Sequence, residues 1–268
     1  MKVVLLTRKS EFQIFCANYL WKRGFLSAVI LEDGYSFQRS SGGLSLSSGW
    51  KLLMKLSMFF SKPSNIIENI HLYLNKPKYF GDQESHNKRV LLDDYSEFLS
   101  EVPVKCVSSI NSDEAKIMLR ELNPELVLVF GTSLIKTSVF ESFKVDFVNM
   151  HWGWSPDFRG EGIISALANS GVQALGVTIH SISSRIDGGN IYFQARPTVD
   201  KYDNFYSIGL KLTLIGTKLF IKYLESLEQG NLLGVAQDLT KGHLYSSKTM
   251  RSNPEIYRIA WRKLKVLN

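Results

Sequence analysis

The stretch Leu126-Val127-Leu128-Val129-Phe130, entered after Pro124 and closed by Gly131, decides how this chain folds. Five apolar residues without polar alternation read as a strand buried on both faces, the signature of a parallel sheet covered by helices. The flanking proline and glycine confine the run to strand length. Working outward, residues 145–150 form the next strand. Upstream, 102–107 reads as a strand and 113–122 as a helix, with Asn111-x-x-Glu114 placed to cap it. Nearer the start, 3–7 is a buried strand, 11–23 carries a helical pattern through Phe12, Phe15, Leu20 and Trp21, and 26–31 is a second strand. This alternation predicts a three-layer α/β domain around a mostly parallel twisted sheet, with helices on both faces.

Downstream, 160–170 is helical, 175–182 and 190–196 are strand-like, and 183–189 becomes the loop between them. A long amphipathic helix over 205–227 follows and leaves room for a homodimer interface. The pattern assigns 1–228 to the main domain and 229–268 to a short basic extension with a helix near 255–263. Between about 33 and 92 the α/β rhythm breaks. Ser40-Ser41-Gly42-Gly43 is loop-like. Residues 50–60 form an amphipathic helix with Lys51, Lys55 and Lys62 set against Leu52, Leu53, Leu56 and Phe59. Such a helix packs on the domain with its lysines solvated, or touches an acidic membrane surface. Residues 76–89 are polar enough to form a mobile loop.

Composition sets outer bounds. The 268 residues are 44% hydrophobic and 21% charged, which is ordinary for a globular chain. Two cysteines, Cys16 and Cys106, do not build a disulfide framework and suit a reducing cytoplasm. The five histidines show no HxxH or HExxH spacing, so no metal is expected. A formal charge of +7 favours an anionic partner. The first residues read as a strand rather than a signal peptide, and no apolar run approaches the roughly 20 residues that span a bilayer. There is no G-x-G-x-x-G after the first strand, no P-loop and no G-x-S-x-G elbow.

Chemistry concentrates at two places. Asn149-Met150-His151 lies at the carboxyl end of a strand, where open parallel sheets form ligand crevices. Asp187 sits in the loop before Gly188-Gly189. An amide donor, an imidazole and a carboxylate together can stabilise an oxyanion and move a proton, as acyl transfer requires. Taken singly, each is equally an ordinary strand cap, a core histidine and a turn residue.

The run from Asn149 to Gly160, with Asn-x-His, Pro156 five residues after the His, then Phe158-Arg159-Gly160, resembles the signature of the folate-dependent formyltransferases. Gly176-Val177-Thr178-Ile179-His180 and Ile186-Asp187-Gly188-Gly189-Asn190-Ile191 resemble that family's GVTxH block and D-x-G turn. The similarity is close from about 102 to 197, looser over 1–32 and absent from about 33 to 92. The resemblance implies a Rossmann-like formyltransferase domain in which Asn149 and protonated His151 donate to the oxyanion and Asp187 supports the imidazole and takes up the amine's proton.

It further implies N10-formyltetrahydrofolate as formyl donor, received by Ser133, Leu134 and Ile135 and by Ser184, Arg185 and Ile186. Trp152, Trp154, Arg159 and His180 become candidates for acceptor binding. For these, packing in the core or at the surface is the competing reading. Trp152-Gly153-Trp154 departs from the family's usual residues beside the His. The expected acceptor is a small amine, best matched by a nucleotide-linked amino sugar of surface polysaccharide synthesis, with no nucleic acid partner. Formylation of another amine (an amino acid, a ribonucleotide or initiator tRNA) and a non-catalytic folate- or nucleotide-binding relative are the alternatives.

Overall fold

The structure, a computed structural model, describes residues 1–33, 76–91, 94–246 and 255–266. The helix expected over 50–60 lies outside the described residues. Among those described, the chain runs β1 (Val3–Thr7), α1 (Glu11–Lys22), β2 (Ala28–Glu32), α2 (Lys76–Phe80), α3 (Gln83–Val90), β3 (Val104–Val107), α4 (Asp113–Leu122) and β4 (Leu126–Phe130). It continues with α5 (Thr137–Phe140), β5 (Asp146–His151), β6 (Phe158–Gly160), α6 (Gly162–Ser170), β7 (Val177–Ser181), β8 (Ile191–Ala195), α7 (Phe205–Glu228), β9 (His243–Tyr245) and α8 (Glu255–Lys265).

Seven strands form one sheet in the order β3-β2-β1-β4-β5-β7-β8. The first five pair in parallel, and the β5–β7 and β7–β8 pairs are antiparallel. The mostly parallel, helix-flanked sheet expected from the sequence is therefore what the chain forms. Every residue of β1, β2 and β4 is buried, which is why these strands carry unbroken apolar runs rather than alternation.

Strand alternation sorts the side chains into two cores. Val3, Leu5, Leu128, Phe130, Val148, Met150, Val177 and Ile179 pack on one face with Ala17 and Leu20 of α1 and Ile208, Leu212 and Phe220 of α7. Val4, Leu6, Ile30, Val127, Val129 and Phe147 pack on the other with Ala115 and Leu119 of α4 and Val139 of α5. This alternation positions the site. On β5 the second face begins with Phe147 and then presents Asn149 and His151, and the register sets His180 of β7 against Asn149.

Four details differ from the sequence reading. Residues 76–89 are two helices rather than a loop. Polar residues organise them: Asp82 accepts a hydrogen bond from the Ser85 amide to cap α3, and the buried Asn87 accepts from Tyr206 Oη at 2.9 Å. Helix α4 is capped by Ser112, whose hydroxyl accepts from the Ala115 amide at 3.1 Å, not by Asn111. The helix expected from 160 starts at Gly162, because Gly160 belongs to β6. That strand pairs in parallel with β9 of the extension, a two-stranded sheet that short, patternless segments do not announce.

Among the described residues, no helix is long and apolar enough to cross a membrane.

Candidate active site

A cleft of about 780 Å³ opens at the carboxyl ends of β4 and β5, between the loop after β4, the β7–β8 loop and the start of α6. Asn149, His151, His180 and Asp187 share its wall. Asp187 reaches the two histidines because the β7–β8 turn folds it back with φ at +47°, a left-handed conformation that aspartate tolerates better than most residues. Ser183 fastens the turn by accepting from the Arg185 amide at 3.2 Å, and the Gly188 amide donates to the Arg185 carbonyl at 3.0 Å. A side chain at Gly189 would collide with the Ser181 carbonyl, 1.8 Å from the position of its Cβ.

Asp187 is the hub. Its Oδ2 accepts from the Gly160 amide at 2.8 Å and faces His151 Nδ1 at 3.4 Å. Its Oδ1 lies 3.4 Å from His180 Nε2 and 3.4 Å from Asn149 Nδ2. Burial by itself would raise this carboxyl, whose side chain is 14% exposed. The imidazoles of His151 and His180 and the Gly160 amide outweigh that and hold it far below the usual carboxylate range.

The imidazoles are oriented by backbone. His151 Nε2 donates to the Phe158 carbonyl at 2.8 Å, and His180 Nδ1 donates to the Ser181 carbonyl at 2.9 Å. With Nε2 committed, the only hydrogen bond that His151 Nδ1 can make to a carboxylate is as a donor. Asn149 Nδ2 lies 3.2 Å from His180 Nε2. Two backbone carbonyls thus aim the remaining nitrogens of both rings at one carboxylate.

Gly153 has its reason here. A Cβ at that position would lie 2.2 Å from His151 Nε2 and 2.3 Å from the Phe158 carbonyl oxygen, in the middle of the bond that fixes the ring. The two neighbouring tryptophans diverge. Trp152 lines the cleft, packed edge-on against Phe12 at 5.0 Å and tilted against Phe130 at 5.6 Å. Trp154 lies outside the cleft, against Gly176 and beneath the Arg196 guanidinium at 3.8 Å. Arg159, on β6, does not line the cleft either.

The loop after β4 brings Ser133, Leu134 and Ile135 to one side, and Arg185 and Ile186 face them across the opening. Ser184 lines a shallower adjoining hollow of about 390 Å³. Gly131 starts this loop at φ +72°, closely covered by Gln13. Ser133 is spoken for: its amide and hydroxyl donate to Glu32 at 2.7 and 2.6 Å. Asn111 donates to the Leu134 carbonyl at 3.0 Å and accepts from the Lys136 amide at 2.8 Å. Sequence reasoning had given this residue to a helix cap. The sequence pattern gives Phe12 a place on the buried face of α1 but no role in a site, and gives none to Gln13, Leu244, Tyr245 or Ser246, all of which line the cleft. Helical and strand spacing mark such residues as packing only, so no sequence signal singles them out.

The chain is thus a mostly parallel α/β sheet with a His–Asp–His cluster on the wall of a cleft at its carboxyl edge. Residues 50–224 match the Formyl transferase family, and the chain belongs to it. It is 31% identical over 138 residues to the methionyl-tRNA formyltransferase of Kosmotoga olearia, a match covering 51% of this chain and 44% of that protein. The match thus spans less than half the length of that relative. In fold it is similar to an N-formyltransferase from Helicobacter canadensis, solved with folinic acid and dTDP-3-aminofucose (TM-score 0.58, 16% identity, 99% of this chain and 81% of that one). A 4-N formyltransferase from Francisella tularensis is similar too (TM-score 0.57, 14% identity, 98% and 87%).

Proposed function

We propose that this chain transfers a formyl group from N10-formyltetrahydrofolate to the primary amine of a nucleotide-linked sugar. The observation that carries the reading is the Asp187 carboxylate, set between His151 and His180 with Asn149 beside it, on the wall of a large cleft.

The cleft suits a flat heterocycle on one side. Leu134, 66% exposed, and Ile186, 37% exposed, both border it with buried Ile135. Apolar surface of this kind is spent against a ring. Ser133, Leu134 and Ile135, with Ser184, Arg185 and Ile186, are the segments that would hold the folate. When bound, N10-formyltetrahydrofolate supplies an activated one-carbon acyl group.

The chain's own residues then have distinct work. To donate to the acyl oxygen, Asn149 Nδ2 exchanges its long contact with Asp187, and the His151 ring one of its two present partners, for the substrate. Removing one such donor typically costs about 2.7–4 kcal/mol in the barrier. Asp187 keeps the His151 ring oriented through contact and accepts the proton that the attacking amine must shed. His180, itself fixed to the Ser181 carbonyl, holds the Asn149 amide in place. On the acceptor side, Trp152 offers an aromatic wall.

Three things favour a nucleotide-linked amino sugar: the net charge of +7, the likeness in fold of almost the whole chain to an N-formyltransferase solved with dTDP-3-aminofucose, and the limited share of the methionyl-tRNA enzyme that it matches. The sequence similarity to those enzymes favours initiator tRNA as the second reading. The test is incubation with N10-formyltetrahydrofolate and, separately, a panel of nucleotide-linked amino sugars and methionyl-tRNA, with mass detection of one added formyl group. Formylation of a sugar nucleotide supports the reading. Formylation of the tRNA alone overturns the acceptor, and reaction with neither overturns the assignment.

A further inference from the structure

We infer that Gln237 is a positioning residue for Asp187, so that the segment 231–246, beyond the residues matched to the family, completes the active site of this chain. The inference rests on the role of Asp187 proposed above.

The side-chain amide of Gln237 makes two hydrogen bonds to the turn that carries Asp187. Its Nε2 donates to the Asp187 carbonyl at 2.9 Å and to the Gly189 carbonyl at 2.6 Å. These two carbonyls flank Gly188, so one amide group clamps the backbone on both sides of the sharpest bend. The turn needs the restraint, because Asp187 itself stands at φ +47° and two glycines follow. Leu239 adds apolar contact, with its Cδ1 3.1 Å from where a Gly188 Cβ would be.

Gln237 is itself held in register. Val235 and Ile191 exchange backbone hydrogen bonds at 2.8 Å in each direction, pinning the segment beside the start of β8. Eight residues on from Val235, β9 pairs with β6, and the Glu161 amide donates to the Tyr245 carbonyl at 2.8 Å. That pairing places Gly160, whose amide holds Asp187 Oδ2. A Cβ at Gly160 would lie 2.1 Å from the Tyr245 carbonyl oxygen. The segment therefore braces Asp187 from two directions: through its own backbone by Gln237, and through the Gly160 amide by β9. The family match ends at residue 224, so the bracing segment itself, 231–246, lies outside it. A carboxylate displaced by about 1 Å from productive geometry loses on the order of a hundredfold in rate.

The experiment compares intact wild type with Gln237→Ala, Gln237→Glu and Asp187→Asn, using whichever amine the wild type formylates. Gln237→Ala should lower kcat roughly ten- to a hundredfold, with KM for donor and amine changed less than threefold and melting temperature nearly unchanged. Gln237→Glu faces both carbonyls with a carboxylate at neutral pH and should be worse than Gln237→Ala there. It should recover towards it as the pH is lowered and the new carboxyl gains a donor hydrogen. Hydrogen exchange in the ligand-free protein supplies a second reading: in Gln237→Ala the Gly160 amide should exchange at least tenfold faster, with core strands β1 and β4 unaltered. A Gln237→Ala enzyme within twofold of wild type in kcat, or with Gly160 exchange unchanged, overturns the inference. So does a loss that appears only in KM or only as a lower melting temperature. If the wild type formylates nothing, the proposed activity fails instead, and the exchange measurement still decides whether Gln237 holds the turn.

Discussion

Two carboxylates, Glu32 behind the loop after β4 and Asp187 on the cleft wall, are treated differently by the fold. Glu32, at the end of β2, is 6% exposed and fully engaged. It accepts from the Ile110 amide at 3.0 Å, the Ser133 amide at 2.7 Å and the Ser133 hydroxyl at 2.6 Å, and it pairs with Arg8 at 2.9 Å. Asp187 has one comparably short contact, to the Gly160 amide, and faces two imidazoles at 3.4 Å. Burial pushes both carboxyls upward, and in both the surrounding donors and positive charge win and hold them low. The difference lies in the partners. Backbone amides and a guanidinium never give up or take up a proton near neutral pH, so Glu32 is a permanent strut between loops. Imidazoles do, so the contacts of Asp187 can be remade during a reaction.

The sharpest way to break this comparison is to neutralise each carboxylate in turn. Asp187→Asn should lower formyl-transfer turnover by about 10²–10⁴-fold while a thermal melt stays within a few degrees of wild type. Equal losses of activity in Asp187→Asn and in a Glu32 variant would collapse the distinction.

Glu32→Ala should instead cost stability. It strands the Ile110 and Ser133 amides, and removing one partner from a buried charged network costs about 2–4 kcal/mol. For a chain of this size each kcal/mol lowers the melting temperature by about 2–4 °C, so calorimetry should register a drop of roughly 4–16 °C. Turnover at saturating donor should fall by less than tenfold, with KM for the donor raised because the loop through Leu134 loosens.

Acid titration separates the two more gently. A carboxyl whose folded value is depressed contributes stability fully present above its unfolded value, about 3.9 for Asp and 4.3 for Glu. That stability drains away as pH falls through the folded value. Both groups therefore make the folded chain less stable towards acid. Denaturant unfolding followed from about pH 6 to pH 3 should lose stability less steeply in Glu32→Gln than in wild type. An unchanged slope would mean that Glu32 does not bind its proton more weakly when folded.

Much of this was legible in the sequence, and the reason is local. The run at 126–130 is apolar because its strand is covered on both faces, so pattern and structure carry the same information. Asn149, His151 and Asp187 stand out in the sequence through order and spacing, and the structure brings the three together. What was missed depends on contacts between segments distant in sequence. Gln237 sits 50 residues beyond Asp187 in an irregular segment, and no periodicity marks a side chain whose task is to hold another loop's carbonyls. Gly153 was read only as a departure from pattern, although the space around His151 Nε2 requires it. Trp152 and Trp154 are two residues apart, a spacing that would give both one face of an extended strand, but the chain bends at 152–153 and Trp154 lies against Gly176 instead. Residues 76–89 looked like a loop because their polar side chains are used for capping and for buried hydrogen bonds rather than for solvation.

Ser133 shows most finely where the line between the two carboxylates falls. Resemblance placed it among the folate-contacting residues, and it does line the cleft, yet both its donors are turned to Glu32. Ser133→Ala removes only the hydroxyl bond and leaves the amide in place. The expected cost is about 0.5–1.5 kcal/mol, a fall in melting temperature of a few degrees. A folate contact through the loop backbone survives that change, so KM for the donor should move less than threefold and kcat not at all. A tenfold rise in KM with an unchanged melt would place the hydroxyl on the ligand rather than on Glu32, and Glu32 would then lose its claim to be a strut alone.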